Sequence, residues 1–458
     1  MIARLALPLL LLLAACGGDP TGGVDRRAPS SGALPAMKVF SDRPAPPPAR
    51  ANRTIARDIL DLVFRLESGA VLPTFTRFEG PVTVRVTGPA PPTLRPDLTR
   101  LIGRLRREAG IDIRPAAADA PASITIDVVA RRELQRFLPD AACVVVPNVV
   151  SWRDYVANRR SRVIEWGRVR ARTQVAVIIP GDTSPQEIRT CLHEEIAQAL
   201  GPVNDMFRLT DSVFNDDDFH SVLTGFDMTV LRAVYAPELQ TGMTRAEVGA
   251  RLPAILARIN PAGERTGAGY RRATPDGWRD QILTALDGRK SRDRRIDAAT
   301  RAVGLARPLG PRDPHLAYAL YLYGRLTLSS EPDVALAAFL RAGDIYRADR
   351  GTRLQAANVA LQVAGFALSD GQPGIALEIA DDAIPVAARA ENAALLSLLM
   401  LVKAEALALQ GRAAPAAAVR RDALGWARYG FGAEEAVRAR AAEISGLAPQ
   451  PRPREGGV

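Results

Sequence analysis

Residues 191–205 read Cys-Leu-His-Glu-Glu-Ile-Ala-Gln-Ala-Leu-Gly-Pro-Val-Asn-Asp and hold most of the side chains in this 458-residue chain that could do chemistry. Glu194 and Gln198 are four apart, so on a helix they project as neighbours from one face. Asn204 and Asp205 follow just past Gly201, and the run Asn215-Asp216-Asp217-Asp218 lies close behind. Glu194, Gln198, Asn204 and Asp205 all offer oxygen, the ligand that hard divalent cations such as Ca²⁺ or Mg²⁺ prefer. Glu195 stands beside them, and a carboxylate needs an electrophile next to it to activate water usefully. A plainer alternative stands next to this one: Glu194 and Gln198 bond within the domain, and the acidic run is a solvated loop. Zinc prefers imidazole or thiolate. The chain has only His193, His220 and His315, which leaves open a two-histidine site from the first two. No Gly-x-Ser-x-Gly elbow is present, Cys143 and Cys191 lack catalytic partners, and no Gly-rich phosphate loop joins a strand to a helix.

The elements that must position these residues can be read from periodicity. Ser184 is an N-cap, Pro185 takes the first helical position and Glu187 completes a capping box, so a helix runs from there to Gly201, read as a left-handed cap before Pro202. Upstream, a helix carrying Ile55, Ile59, Leu60, Val63 and Phe64 ends at Gly69, and another spans 95–107. Strands are predicted at 82–86, 123–129, 143–146 and 175–179, the last apolar enough to be covered on both faces. Further on, Thr244-Arg245-Ala246-Glu247 is another capping box. This is the order of a mixed α/β domain.

The ends of the chain read differently. Arg4, the apolar run Leu5–Leu13 and Leu13-Ala14-Ala15-Cys16 form a lipoprotein signal peptide (1–15), too short to span a bilayer. Cys16 becomes the acylated first residue, a membrane partner by its lipid; the alternative is an ordinary secretory signal with an incidental cysteine. Gly17 after it, in place of the Asp that resembles an inner-membrane retention signal, points to the outer membrane. A Pro/Gly-rich tether (16–52) follows. In that oxidising compartment Cys143 and Cys191 are expected to form one disulfide, with two separately buried thiols as the alternative. The net charge is +10, yet 57 of 60 basic residues are Arg and they are spread along the chain, which argues against a nucleic-acid partner.

Past the α/β domain (53–245) comes a helical linker region (246–313), with residues 260–280 loop-like. An Ala/Leu-rich helical stretch (314–446) and a Pro/Arg/Gly-rich tail (447–458), expected to be disordered, complete the chain. In the helical stretch a spacing of i, i+4, i+7 recurs: Ala335-Phe339-Ala342, Ala376-Ala380-Ala383, Ala416-Arg420-Ala423. The sets are 41 and then 40 residues apart, the last two each following a glycine, Gly371 and Gly411. Small residues where helices touch and a glycine where a hairpin turns resemble tetratricopeptide (TPR) arrays, at more than their usual roughly 34 residues. A plain helical bundle is the alternative.

Two family resemblances complete the reading. The helix sequence resembles the metzincin active helix, H-E-x-x-H-x-x-G-x-x-H. With its glycine on Gly201, Glu194, Gln198 and Asn204 take the three histidine positions and Glu195 the base position. Ser212-Val213-Phe214 and then Leu223-Thr224-x-x-Asp227 follow in the matrixin order, without the Met of the Met-turn, and that parallel implies that Thr224 N-caps the final helix. Together with Thr76-Arg77-Phe78-Glu79-Gly80-Pro81-Val82 and Tyr235-Ala236-Pro237, these residues resemble the exported bacterial proteins grouped as domain of unknown function 2927, over about residues 50–245. The expected fold class is therefore α/β, a zincin-like mixed sheet with an active-site-type helix, followed by an all-α TPR-like array. The expected function is a lipid-anchored, periplasm-facing binding or scaffold protein with a protein or peptide partner on the repeats. The rival is a hydrolase using Glu195 and a divalent metal held by oxygen.

Overall fold

A computed structural model describes residues 33–41, 43–117, 120–267 and 272–449; the signal peptide, Cys16 and the tail from residue 450 lie outside the described residues. The described residues form two compact units, one from Ser41 to Ala273, the other joining residues 33–40 with Thr274 onward.

The first unit is built on a five-stranded sheet of β1 (Val82–Thr87), β2 (Ile113–Pro115), β3 (Ile124–Val129), β4 (Val144–Pro147) and β5 (Val175–Pro180), in the order β2-β1-β3-β5-β4. The first three and β5 are parallel, while β4 runs antiparallel to β5. Ile126 and Val145 both register with Val177, which puts β5 between two neighbours. Every residue of β5 is buried. Val175, Val177 and Ile179 join the main core, whereas Ala176 and Ile178 face the other side, against Leu134, Trp152 and Tyr155. A strand covered on both faces has no position for a polar side chain, so its sequence is apolar throughout.

Seven helices accompany the sheet among the described residues of this unit: α1 (Asn52–Phe64), α2 (Leu94–Ala109), α3 (Arg131–Phe137), α4 (Trp152–Asn158), α5 (Pro185–Leu200), α6 (Gly225–Val234) and α7 (Arg245–Ile259). The apolar stripes of α1, α2, α5 and α6 meet in one core through Ile59, Leu101, Leu192 and Leu231. Helix α7, read from sequence as part of the linker, adds Val248, Leu252, Ile255 and Leu256 to that same core.

Several local expectations change. Helix α1 stops at Phe64, because Arg65 turns extended and bridges to Val71; Gly69, at φ 81°, serves that turn. Gly201 ends α5 with an extended φ of 173°, not a left-handed one. It is glycine for space, since a Cβ there would lie 2.8 Å from Val234 Cγ1. Ser184 does cap α5 by accepting from the Glu187 amide at 3.1 Å. The Glu187 carboxylate, however, turns to Arg131 and Thr183 and leaves the capping box half made. The capping boxes at Thr224 and Thr244 are both complete. The edge strand β2 and the seven-residue helices α3 and α4 are too short to show a period.

The second unit is helical: α8 (Trp278–Leu286), α9 (Arg292–Ala306), α10 (Pro314–Thr327), α11 (Pro332–Arg347), α12 (Arg353–Ser369), α13 (Pro373–Arg389), α14 (Ala393–Leu409), α15 (Ala413–Phe431) and α16 (Glu434–Ser445). Consecutive helices pack on one another, and the series begins at α8, ahead of Pro314 and within the stretch read as loop and linker. The repeated alanines fall on α11, α13 and α15 and are buried, while Arg420 at the variable middle is not. Gly371 (φ 68°) and Gly411 (φ 74°) make the left-handed turns after α12 and α14. Among the described residues no helix is long and apolar enough to cross a membrane.

Close helix approach is clearest at Gly430, where a Cβ would lie 2.7 Å from the Ala394 backbone. Backbone cannot swing aside as a side chain can, so the gain in helix propensity from replacing the glycine is outweighed. Gly430→Val is expected to lower stability by about 1–3 kcal/mol, read as a lower melting temperature of the helical signal.

Candidate functional site

Helix α5 follows β5, an interior strand of the sheet, and is buried along most of its length. Twelve of its sixteen residues are inaccessible, including Arg189, His193, Glu194, Glu195 and Gln198. A disulfide between Cys143 and Cys191, with Cα atoms 5.9 Å apart, ties its middle to the residue before β4. At its C-terminal end the unsatisfied carbonyls meet Arg172. This buried guanidinium donates to the carbonyls of Gln198 and Ala199 at 2.7 Å each and of Gly201 at 2.6 Å, and to Thr76 Oγ1 at 3.2 Å. Burial lowers the Arg172 pKa to about 10, so it remains a cation at neutral pH, where it also complements the negative end of the helix dipole.

The polar side chains of α5 and the segment after it divide into separate arrangements. Gln198 Nε2 donates to Asp205 Oδ2 at 2.8 Å. Asn204 turns the other way, and its Nδ2 donates to the Asp61 carbonyl at 3.0 Å, on α1. Glu194 and Glu195 are both buried. The carboxylates that gather round Asp205 are Glu67, from the turn after α1, and Asp216, from the acidic run; their ligand oxygens and that of Asp205 lie within 4.8 Å of one another. Three carboxylates beside a carboxamide are the donor set of a hard divalent ion. Glu67, Asp205 and Asp216 are therefore the residues that could hold a metal, with Gln198 adjoining. Other members of the acidic run fold on themselves: Asn215 Nδ2 donates to Asp217 Oδ2 at 2.8 Å, and Asp217 accepts from the Phe219 amide.

The histidines have structural partners. His193 Nδ1 accepts from the Leu223 amide at 3.1 Å. Burial, aided by Arg189, Arg104 and Arg100, holds its pKa well below the ordinary imidazole value. His220 Nε2 lies 3.1 Å from the Thr210 carbonyl, and burial lowers its pKa too. Neither ring belongs to a group of three or more candidate metal ligands among the described residues.

A buried ionic network fixes the segment between α5 and α6. Asp58 of α1 accepts from Arg50 Nη1 at 2.7 Å and from Arg208. Arg50 also pairs with Asp211, and Arg208 with Asp61 at 2.7 Å. Asp227 completes the clamp. Its carboxylate accepts from Ser212 and from the amides of Val213 and Thr224, at 3.2 and 2.8 Å, which holds the Ser212-Val213-Phe214 turn against α6. Sequence reasoning missed Arg172, Asp58 and Glu67. Each is one charged residue in a chain rich in them, and no local spacing marks its distant partner.

With this geometry in view, residues 52–254 match the model of the family described as "Protein of unknown function (DUF2927)", which supports the family resemblance read from the sequence. No curated protein and no solved structure matches the chain.

Burial raises the Asp227 pKa from 3.8 to about 6, outweighing the hydrogen bonds that lower it. The native carboxyl therefore holds its proton to higher pH than the unfolded one, and the sign follows from linkage: stability falls as pH rises from about 4 to about 6, by a total on the order of 3 kcal/mol. The stability of wild type minus that of Asp227→Asn, from denaturant melts across that window, is expected to fall as pH rises.

Proposed function

We propose that this chain is a lipid-anchored, periplasm-facing cell-envelope protein that binds or scaffolds a protein or peptide partner and has no peptidase chemistry. Its first unit is zincin-like. Helix α5 follows the buried β5, Gly201 ends it, and the Ser212–Phe214 turn is clamped to the Thr224-capped α6, which is the arrangement the matrixin resemblance calls for. Its second unit is TPR-like, a series of helical hairpins with a repeat near 40 residues and glycine turns, and such arrays commonly bind extended segments. The observation that carries the non-catalytic reading is the fate of the three template positions. Gln198 is committed to Asp205, Asn204 to the Asp61 carbonyl of α1, and Glu194 is buried with them.

A second reading has one observation in its favour, the approach of Glu67, Asp205 and Asp216. On that reading the first unit is a hydrolase with an oxygen-bound Ca²⁺ or Mg²⁺ and Glu195 as general base. The two are separated by elemental analysis of the soluble chain (residues 17–458) together with complementation of a deletion strain by Glu195→Gln. The proposed function predicts no stoichiometric zinc and full complementation. A bound divalent metal lost on Asp205→Asn, with Glu195→Gln folded but unable to complement, would sink it in favour of the hydrolase.

A further inference from the structure

Residues 35–40 lie along one face of α15 although they belong to the segment read from sequence as a free tether. The Lys38 amide donates to the Gly425 carbonyl at 3.0 Å, and Arg428 Nη1 donates to the Pro35 carbonyl at 2.8 Å. The Lys38 ammonium pairs with Asp422 and lies 5.6 Å from the centre of the Trp426 ring. Phe40 stacks on Trp426 with ring centres 4.4 Å apart and meets Tyr429 edge-on at 6.3 Å.

The helix is shaped for this contact. Asp422, Gly425, Trp426 and Tyr429 follow the i, i+3, i+4, i+7 spacing of a single helical face. Gly425 lies inside α15, where only proline is a poorer helix former. A Cβ on it would lie 3.2 Å from both the Ala36 carbonyl oxygen and Lys38 Cγ. The nearest neighbours of that missing atom thus belong to the docked segment, so the glycine costs the helix propensity and gives room to a peptide backbone.

The contacts also sort by what they recognise. The two main-chain bonds would accept any non-helical backbone. Phe40 supplies the anchor, since an aromatic side chain brings large apolar area and ring geometry to the contact. The ion pair is largely exposed on both sides, so it selects a basic residue without holding it tightly.

We propose that the Asp422–Gly425–Trp426–Tyr429 face is a peptide-recognition site for a non-helical segment bearing a basic residue two positions before an aromatic, and that residues 35–40 are its resident, displaceable occupant. The partner is accordingly a peptide segment of that pattern, which must compete with an occupant tethered at high effective concentration. The site belongs to the second unit alone and holds whether or not the first unit has an activity.

The test is a fluorescence-anisotropy titration of a labelled peptide with the sequence of residues 33–41 against the full-length mature chain in detergent. Lys38→Glu/Phe40→Ala releases the resident segment and is expected to bind the peptide at least about tenfold more tightly than wild type. Adding Trp426→Ala to that chain is expected to abolish binding. Gly425→Leu, added instead, blocks the backbone approach without removing an aromatic and is expected to do the same, with circular dichroism reporting that the helices persist. Equal binding by wild type and the released chain, no binding by the released chain, or binding that survives both further substitutions would overturn the proposal.

Discussion

The first unit depends on one constraint: α5 is buried almost all round, yet it carries charged and amide side chains and ends inside the protein. A helix placed this way needs partners for its last carbonyls and for every polar group it takes out of water. Arg172 meets the carbonyls, Asp205 accepts from Gln198, and the Leu223 amide is held by His193. Each of these partners comes from a different part of the chain. The ionic network around Asp58 and the Asp227 clamp then fix the segment from Gly201 to Thr224 that delivers two of them. Breaking a buried charge pair by removing one partner costs several kcal/mol, far more than an exposed pair contributes, so these groups set the position of the segment between α5 and α6.

The helical unit solves a different problem by different means. Its helices approach closely through alanines and glycines, with ion pairs such as Lys403–Asp381 and Arg420–Glu405 joining neighbouring helices beside them, and small residues recur at matching places. Buried Ala335, Ala376 and Ala416 hold equivalent places on α11, α13 and α15, and Gly430 admits the backbone at Ala394. The same device reappears on the outer side of α15, where Gly425 leaves space for residues of the tether.

Much of the architecture was legible because it rests on local periodicity. The doubly covered β5, the strands β1, β3 and β4, the α5 cap at Ser184 and the capping box at Thr244 all announce themselves within a few residues. Places where the expectation shifted depend on tertiary partners. Gly201 invites a left-handed cap, but Val234 packs where its side chain would be, and the chain leaves extended. Glu187 fits a capping box, but Arg131 and Thr183 draw its carboxylate away. The candidate site was half legible: Gln198 and Asp205 do meet, seven residues apart. Asn204 is drawn to α1, and Glu67 arrives from far upstream with no sequence signal.

The central claim is that the polar side chains of α5 are internal structure. It is tested most directly by the unfolding free energy of Gln198→Met, which keeps the length of the side chain and removes its amide. If Gln198 is a structural donor to Asp205, the substitution lowers stability by about 1–3 kcal/mol, the cost of leaving a buried acceptor without its bond. Unchanged or increased stability would contradict the account, because that is the behaviour of a residue retained for chemistry at the expense of the fold.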